Sequence, residues 1–243
     1  MEKDEIVSAS TRDVQMDDDL VKLSQQFLFA AKTGKNTEGF ILQLKTLQES
    51  GVTMLKTDNA KKAFWINLYN AFTQTLLKQN PRLYRNRSRF FTAKQLNVAG
   101  KKLSFDDLEH GILRRSKNKW GFGYLGKIFP SPVEKAWRVE KLDHRIHFAL
   151  NCGAKSCPPI AFYSSEKLDQ QLASATKSFL ENEVDVTENT VAIPAILGWF
   201  CSDLGGKKGI RKLLRENGFP SVNAATKIRV SKYNWQLSLE NKR

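Results

Sequence analysis

The sequence has few cysteines, no long apolar run and no internal repeat, and each absence narrows the class of protein. Three cysteines in 243 residues cannot build a disulfide framework, so we expect reduced thiols. The chain lacks an apolar run of about eighteen residues, which argues against a transmembrane helix. The start, MEKDEIVSAS, carries acids where a signal peptide needs basic residues. These absences favour a soluble cytoplasmic protein.

The chain is strongly basic, with a net charge of +14 and an isoelectric point near 9.7. Such a charge attracts phosphates, nucleic acids or anionic membranes when it is gathered on one face. In KKGIRKLLR at 207–215, however, the apolar residues have helical spacing, which is typical of an amphipathic helix with a solvated face. We therefore do not expect nucleic acid as the partner. The partner classes that remain are an anionic small molecule or a protein, and the specific partner is unknown.

Helical periodicity dominates the pattern, and only short strand-like pieces separate the helices. Such scattered strands predict a single, mostly helical α+β domain with a small, largely antiparallel sheet. Residues 1–19 have seven acids and two basic residues, which predicts a flexible, solvated extension before a domain at 20–243. Helices are predicted at 18–33, 37–49, 58–79, 105–117, 166–183, 195–204 and 207–217, and strand-like pieces at 97–105, 145–150, 184–193 and 226–233.

The predicted helix 58–79 carries apolar or aromatic residues around most of its circumference, so we expect it to be the buried centre of the domain. Asn67 and Asn70 lie together on the remaining narrow strip. Their amides either bond to a neighbouring backbone, as buried polar groups must be satisfied, or face a cavity and bind a substrate. The sequence leaves both interpretations open.

The segment SFDDLEHGILRR at 104–115 predicts an amphipathic helix with a carboxylate inside its apolar face. Glu109 must there be paired or have a strongly shifted pKa, because burying a lone charge costs several kcal/mol. Its role is either structural or that of a catalytic acid or base. His110 and Arg114 lie one turn apart near the edge of the face, where they could contact a substrate.

The segment HRIHFALNCGAKSCPPI at 144–160 concentrates reactive residue types. If RIHFAL is a strand, Arg145 and His147 share one face of a sheet. A loop with Cys152 and Cys157 follows, and Gly153 permits an unusual backbone conformation there. A cysteine-bearing loop directly after a histidine strand is hard to explain by packing alone.

Three chemistries could use this segment. A thiolate nucleophile needs a base and an orienting group, for which His147 and Glu109 or an Asn amide are candidates. A zinc site could use His147, Cys152 and Cys157, but the H-x4-C-x4-C spacing is loose and a fourth ligand would have to come from elsewhere. A redox pair is the third use, although C-x4-C differs from the C-x-x-C motif. Cysteines that are merely buried apolar residues are the plain alternative, which we favour for Cys201.

The chain resembles the domain of unknown function 547 family in an ordered set of segments covering about 60–241. They are AFWINLYNAF, GKKLSFDDLEHGILR, DHRIHFALNCGAKSCPPIAFY, LDQQLASATKSFLENEV, ILGWFCSDLGG and VSKYNWQLSLEN. The resemblance implies that the characteristic polar positions of the family are Asn67, Asn70, Glu109, His110, Arg114, Arg145, His147, Cys152 and Cys157.

The resemblance also implies some variation among relatives. Bacterial relatives include secreted or lipid-anchored proteins, and plant relatives carry the domain beside coiled-coil segments. In plant relatives the position of Cys157 can be Ser, which weakens a mechanism that needs two cysteines. Asn234 stands here where an Asp is more usual, so an acid has no role at that position.

We predict that these segments converge on one pocket. If the protein is an enzyme, we expect a thiol-dependent acyl transferase or hydrolase with Cys152 as nucleophile, His147 as base, and Glu109 and Cys157 in support. Substrate would be bound by Asn67, Asn70, Arg145, Arg114 and His110. No metal or cofactor is expected on this interpretation. The alternative is a module without turnover that binds an anionic ligand or a protein, or that holds structural zinc at His147, Cys152 and Cys157.

Overall fold

The computed structural model of the chain describes residues 2–119 and 124–239. Residues 1, 120–123 and 240–243 lie outside this part, including the first residue of the predicted extension and the end of the predicted domain. The α-helices are α1 (Glu2–Thr33), α2 (Glu38–Thr46), α3 (Glu49–Thr53), α4 (Asp58–Gln79), α5 (Arg87–Thr92), α6 (Pro132–Trp137), α7 (Leu168–Glu183), α8 (Ala195–Trp199) and α9 (Gly206–Glu216). The 3₁₀ helices Pro81–Asn86 and His144–Phe148 and the π-helix Asp107–Leu113 lie between them.

Helix α4 is the centre of the fold, as predicted. Its N-cap is Thr57, whose side-chain oxygen accepts the backbone N–H of Ala60 at 3.1 Å, and the helix begins at the next residue, Asp58. Helix α1 packs along α4, and the aromatic side chains of α4 contact α1, α6 and Phe105. Trp65 stacks on Trp137 with ring centroids 5.6 Å apart, and the other pairs are Phe72 with Phe27 and Tyr69 with Phe105.

The predicted hairpins form two small sheets. Strands β1 (Leu96–Val98) and β2 (Lys101–Leu103) pair antiparallel across a turn at Ala99 and Gly100. Strands β3 (Asp185–Thr187) and β4 (Thr190–Ile193) also pair antiparallel, and β5 (Lys227–Val230) pairs parallel with β4. The structure therefore confirms a mostly helical α+β domain. In the described part of the chain, no helix is both long and apolar enough to span a bilayer.

Helix α1 reaches further toward the N-terminus than predicted, since it runs from Glu2 to Thr33. Asp17, inside the predicted extension, is buried and accepts the backbone N–H of Lys56 at 3.2 Å. The division at residue 19 stays a prediction.

The strand predicted for RIHFAL is wrong, because the segment forms the 3₁₀ helix His144–Phe148. The Asp143 carboxylate accepts the backbone N–H of Arg145 at 3.1 Å, and this cap starts a helical turn where alternation alone predicts a strand. Arg145 and His147 consequently do not share a sheet face. His147 is buried, whereas Arg145 lies nearer the surface between Asp143 and Asp169.

The helix predicted at 105–117 is largely a π-helix. Its wider turns are defined by bonds from the N–H of Arg114 to the carbonyl of Glu109 at 2.8 Å and from Ser116 to Gly111 at 2.7 Å. π-Turns of this kind occur frequently at functional sites. This one carries Glu109 and His110 toward the pocket described below.

Candidate active site

A pocket of about 530 Å³ lies where α4, the π-helix, the 3₁₀ helix His144–Phe148 and α8 meet the C-terminal segment, which contains Tyr233, Trp235 and Leu237. Its walls are mainly apolar and aromatic, with a few polar groups, which is the usual make-up of a small-molecule site. The polar or ionisable lining residues are Asp106, Glu109, His110, Lys119, His147 and Cys152, and the apolar or aromatic ones are Tyr69, Phe91, Leu150, Ile196, Trp199, Phe200, Tyr233 and Trp235.

Asp203 joins two of the predicted site residues. Its carboxylate lies 2.7 Å from Nε of Arg114 and 3.0 Å from Nε2 of His147. The side chains of Arg114 and Asp203 are fully buried. Burial alone would raise the pKa of Asp203, but the hydrogen bonds from His147 and Arg114 outweigh it and hold that pKa well below its ordinary value. Asp203 is therefore a buried anion that fixes both partners.

His147 is held as a neutral imidazole with one free nitrogen. Its ring stacks on Phe200 with centroids 3.8 Å apart and planes 7° apart. Burial lowers the pKa of His147 to about 4, although Asp203 acts in the opposite direction. Since the carboxylate accepts the proton of Nε2, Nδ1 carries a lone pair. Nδ1 is buried and has no hydrogen-bond partner among the described residues.

His110 lies beside this network. Arg114 Nη1 donates to Nδ1 of His110 at 2.8 Å, and Nε2 of His110 lies 3.8 Å from Asp106. Burial and the nearby charge of Arg114 lower the pKa of His110 well below its ordinary value. His110 is therefore neutral, and its Nδ1 is already occupied by Arg114.

Glu109 has the shifted pKa that its place on the apolar face predicts. Desolvation by burial raises this pKa to about 7, and the positive charge of Arg114 offsets only part of the effect. The carboxyl group accepts a long hydrogen bond of 3.4 Å from the Tyr69 hydroxyl. At neutral pH Glu109 can therefore either hold or release a proton.

The two loop cysteines contact each other. Their sulfur atoms lie 2.9 Å apart, and the Cys152 backbone N–H donates to the Cys157 sulfur at 3.1 Å. The Tyr233 hydroxyl lies 3.2 Å from the Cys157 sulfur and 3.5 Å from the Cys152 sulfur. The hydrogen bond from Cys157 lowers the pKa of Cys152, and the Tyr233 hydroxyl lowers it further. Burial acts in the opposite direction, and the resulting pKa of Cys152 is about 7. Burial raises the pKa of Cys157, so the two thiols differ in character.

The cysteine loop is held from both sides. Gly153 has φ +88°, and a Cβ there would lie 2.7 Å from Cδ1 of Leu77, so a larger residue would be strained. The Asn151 side chain accepts the N–H of Gly153 and donates to the carbonyl of Pro158. The C-terminal segment pairs with the loop, since Lys155 N donates to Gln236 O at 2.8 Å and Ser238 N to Gly153 O at 2.8 Å. This pairing brings Tyr233 to the thiols.

The structure brings Glu109, His110, His147 and Cys152 together in one pocket and places Cys157 behind Cys152. The Cys152 thiol contacts Cys157 and Tyr233, and it also interacts with Tyr84 and the backbone of Ala154. No hydrogen bond joins it to His147 in the described part of the chain. Arg114 contacts the site through His110 and Asp203.

Four predicted substrate-binding residues lie outside the pocket lining, namely Asn67, Asn70, Arg114 and Arg145. The Asn67 amide donates to the backbone carbonyl of Tyr163 and accepts the backbone N–H of the same residue. The Asn70 amide donates to the carbonyl of Ala149 and accepts the N–H of Asn151. Both amides thus follow the first interpretation, bonding to backbone. Arg145 pairs with Asp143 and Asp169. A contact of these four residues with substrate stays a prediction.

Asp203, Phe200, Tyr233 and Trp235 are site residues that the sequence reasoning missed. Their signals were present: an acid directly after WFCS, and two aromatic residues in KYNW near the end of the chain. A buried Arg114 also requires an anion, but the sequence does not reveal which acid supplies it. Cys201, beside Phe200, is partly buried and packs against a hydrophobic cluster that includes Ile196, Leu204 and Leu213.

The predicted zinc ligands do not form a cluster. Among the described residues, no group of three or more His, Cys, Asp or Glu side chains is arranged to hold a metal ion. His147 Nε2 is engaged by Asp203, and the two thiols contact each other and Tyr233.

Comparisons with known proteins give one match. No curated protein and no solved structure matches the chain. A family model described as "Protein of unknown function, DUF547" matches residues 52–180, which is more than half of the chain and contains Glu109, His147 and both loop cysteines. The chain therefore belongs to the DUF547 family.

Proposed function

We propose that the protein is a thiol-dependent acyl transferase or hydrolase with Cys152 as its nucleophile. The observation that carries this proposal is the position of the Cys152 sulfur on the wall of an aromatic pocket, 2.9 Å from the Cys157 thiol and 3.5 Å from the Tyr233 hydroxyl. Both groups can donate a hydrogen bond to a thiolate. Such donors stabilise the nucleophilic form of a cysteine near neutral pH.

In the proposed reaction, the Cys152 thiolate attacks the carbonyl carbon of an ester, thioester or amide. The carbonyl electrons move to oxygen, and the tetrahedral intermediate collapses to an acyl-cysteine as the leaving group departs. Glu109, whose pKa of about 7 allows it to hold a proton, gives that proton to the leaving group. Water or an acceptor alcohol or amine then attacks the acyl-cysteine and gives its proton to a base, which restores the thiolate. That proton returns through solvent in the pocket to Glu109 and closes the cycle.

His147 is the proposed base of the second step. Its Nδ1 lone pair is free, while Asp203 holds the other nitrogen and thereby fixes the tautomer. Asp203 takes the orienting role that the sequence assigned to Glu109 or an Asn amide. Arg114 keeps Asp203 ionised at this position. Cys157 supports the Cys152 thiolate without lining the pocket.

The pocket walls favour a substrate with an apolar acyl group. Trp199 and Trp235 stack with ring centroids 5.6 Å apart, and Phe200 and Phe91 supply further apolar surface. Lys119 provides a cation at the wall, although Asp106 pairs with it at 2.9 Å. An acyl group attached to an anionic carrier fits both features.

The second candidate is a module that binds the same ligand class without turnover. It is favoured by one observation: in the described part of the chain, no hydrogen bond joins the Cys152 thiol to His147, and the partners of the thiol include Cys157 and Tyr233 instead. A largely aromatic pocket can bind an anionic, partly apolar ligand without a base next to the thiol.

Covalent trapping separates the two candidates. The full chain is incubated with p-nitrophenyl esters of increasing acyl length, and the acyl-enzyme is mapped by mass spectrometry. We expect one acyl group on Cys152, released again by water or an added amine. Cys152→Ala should abolish the adduct, and the matched variant Cys201→Ala should keep it. Equal labelling of Cys201 and Cys152, or an adduct that survives Cys152→Ala, would overturn the enzymatic proposal.

A further inference from the structure

We infer that Cys152 and Cys157 form a peroxide-reactive dithiol, in which Cys152 is oxidised by a hydroperoxide and Cys157 then closes an intramolecular disulfide. Their sulfur atoms are 2.9 Å apart, and a disulfide needs about 2.05 Å. The thiols therefore have to approach by less than about 1 Å. The Cys152 N–H already points at the Cys157 sulfur, at 3.1 Å, and keeps that sulfur over the start of the loop.

The two sulfurs differ in access. Cys152 lines the pocket, whereas Cys157 does not, so a small oxidant in the pocket meets Cys152. Tyr233 and Cys157 can both donate to the Cys152 sulfur, which favours its thiolate form. Thiolates, rather than thiols, react with peroxides. Cys152 is thus the attacking sulfur and Cys157 the resolving one.

The chemistry balances with a hydroperoxide, ROOH, as the named oxidant. The Cys152 thiolate attacks the terminal peroxide oxygen, the O–O bond breaks, and the alkoxide leaves as ROH after taking up a proton. The product is a sulfenic acid on Cys152. The Cys157 sulfur then attacks the Cys152 sulfur and displaces hydroxide, which takes up the Cys157 proton and leaves as water. The dithiol has lost two electrons and the peroxide has gained them.

The disulfide is reversible by a small dithiol or thiol through thiol–disulfide exchange. A consequence, which rests on the proposed function, is that the oxidised form has no nucleophile and cannot accept an acyl group. Disulfide formation itself does not depend on that function.

Peptide mapping tests the inference directly. The full chain is treated with a few equivalents of hydrogen peroxide, remaining thiols are blocked with N-ethylmaleimide under denaturing conditions, and the protein is digested with trypsin. Lys155 lies between the two cysteines, so cleavage there separates peptide 146–155 from peptide 156–167 unless a disulfide joins them. We expect the joined pair, an intact mass lower by two hydrogen atoms, and full recovery with dithiothreitol.

Variants define the roles of the two sulfurs. Cys157→Ser should stop at the sulfenic acid, seen as one added oxygen on peptide 146–155 that dimedone traps. Cys152→Ser should slow the oxidation of Cys157 by at least about tenfold, because the thiolate site is gone. Cys201→Ser should behave as the wild type. Two free thiols after treatment, or a disulfide that involves Cys201, would overturn the inference. The readout is independent of any acyl transfer, so the two proposals can fail separately.

Discussion

The His147 imidazole and the Asp203 carboxylate lie 3.0 Å apart, although 56 positions separate them in the chain. Arg114 binds the same carboxylate through Nε at 2.7 Å and through Nη2 at 3.2 Å. Three segments of the chain are thus joined at one buried anion. Asp203 is the residue on which the orientation of the proposed base depends.

Replacing Asp203 should destabilise the fold. In Asp203→Asn the buried Arg114 loses its counter-ion, and removing one partner of a buried ion pair costs about 3–5 kcal/mol. Urea unfolding followed by circular dichroism measures this loss. The matched control is Asp169→Asn, because Asp169 is exposed and pairs with Arg145 at the surface; it should cost less than about 1 kcal/mol. Similar losses in both variants would contradict the role given to Asp203.

The buried carboxyl of Glu109 should make stability fall as pH rises toward neutrality. Its folded pKa of about 7 lies above the ordinary value of 4.5, so between these values the folded state holds the proton more tightly than the unfolded state. Stability from this group is complete below about pH 4.5 and is lost as pH rises through about 7. A pKa difference of this size corresponds to about 3 kcal/mol.

Glu109→Gln should abolish that decline, because glutamine does not titrate. The measurement is the free energy of unfolding of both proteins from pH 4.5 to 8, where the titrations of His147 and Asp203 are common to both and cancel. Glu181→Gln, at an exposed site of α7, is the matched control and should follow the wild type. If the difference between wild type and Glu109→Gln stays constant across this pH range, Glu109 does not have a raised pKa.

Tyr233→Phe should raise the pKa of Cys152 above its value of about 7, because it removes a hydroxyl that can donate to the thiolate. A rise of one unit in the pKa of Cys152 lowers the thiolate fraction at pH 7 by about fivefold. The rate of iodoacetamide alkylation at Cys152, measured against pH, reports the shift. Tyr163→Phe is the control, since its hydroxyl is buried without a hydrogen-bond partner in the described part of the chain. An unchanged pH profile in Tyr233→Phe would exclude Tyr233 as a donor to the thiolate.

Asn70→Ala should destabilise the protein through its backbone. The variant leaves the buried carbonyl of Ala149 and the buried N–H of Asn151 unpaired, and each unsatisfied group costs about 1–3 kcal/mol. Asn59→Ala, at an exposed position of the same helix, should change stability by less than about 0.5 kcal/mol. The unfolding free energies decide the matter, and a stable Asn70→Ala protein with a weakened ligand affinity would instead favour the substrate-binding interpretation.

Much of the fold could be predicted from local patterns. Helix α4 is apolar on nearly every face, and its predicted bounds of 58–79 agree with the structure. The two hairpins follow from alternating residues around short turns. The buried position of Glu109 followed from its place on an apolar stripe. These features depend on residues close together in the chain, which is why the sequence reveals them.

The remaining features depend on contacts or caps that periodicity does not encode. The RIHFAL segment alternates as a strand does, but the Asp143 side chain satisfies a backbone N–H and starts a 3₁₀ turn. Asp203 becomes a site residue only because α8 and the following turn pack beside the π-helix. Tyr233 reaches the thiols and Trp235 reaches the pocket wall because the last segment pairs with the cysteine loop at Ala154 and Leu237.

That last pairing sets a lower limit on any shortened version of the protein. The segment matching the family ends at residue 180, so it contains Glu109, His147 and both loop cysteines. It omits Asp203, Phe200, Tyr233 and Trp235. A fragment cut at that boundary would expose Cys152 to bulk water on its aromatic side and leave Arg114 without its anion. The pocket is thus built from more of the chain than the segment by which its family is identified.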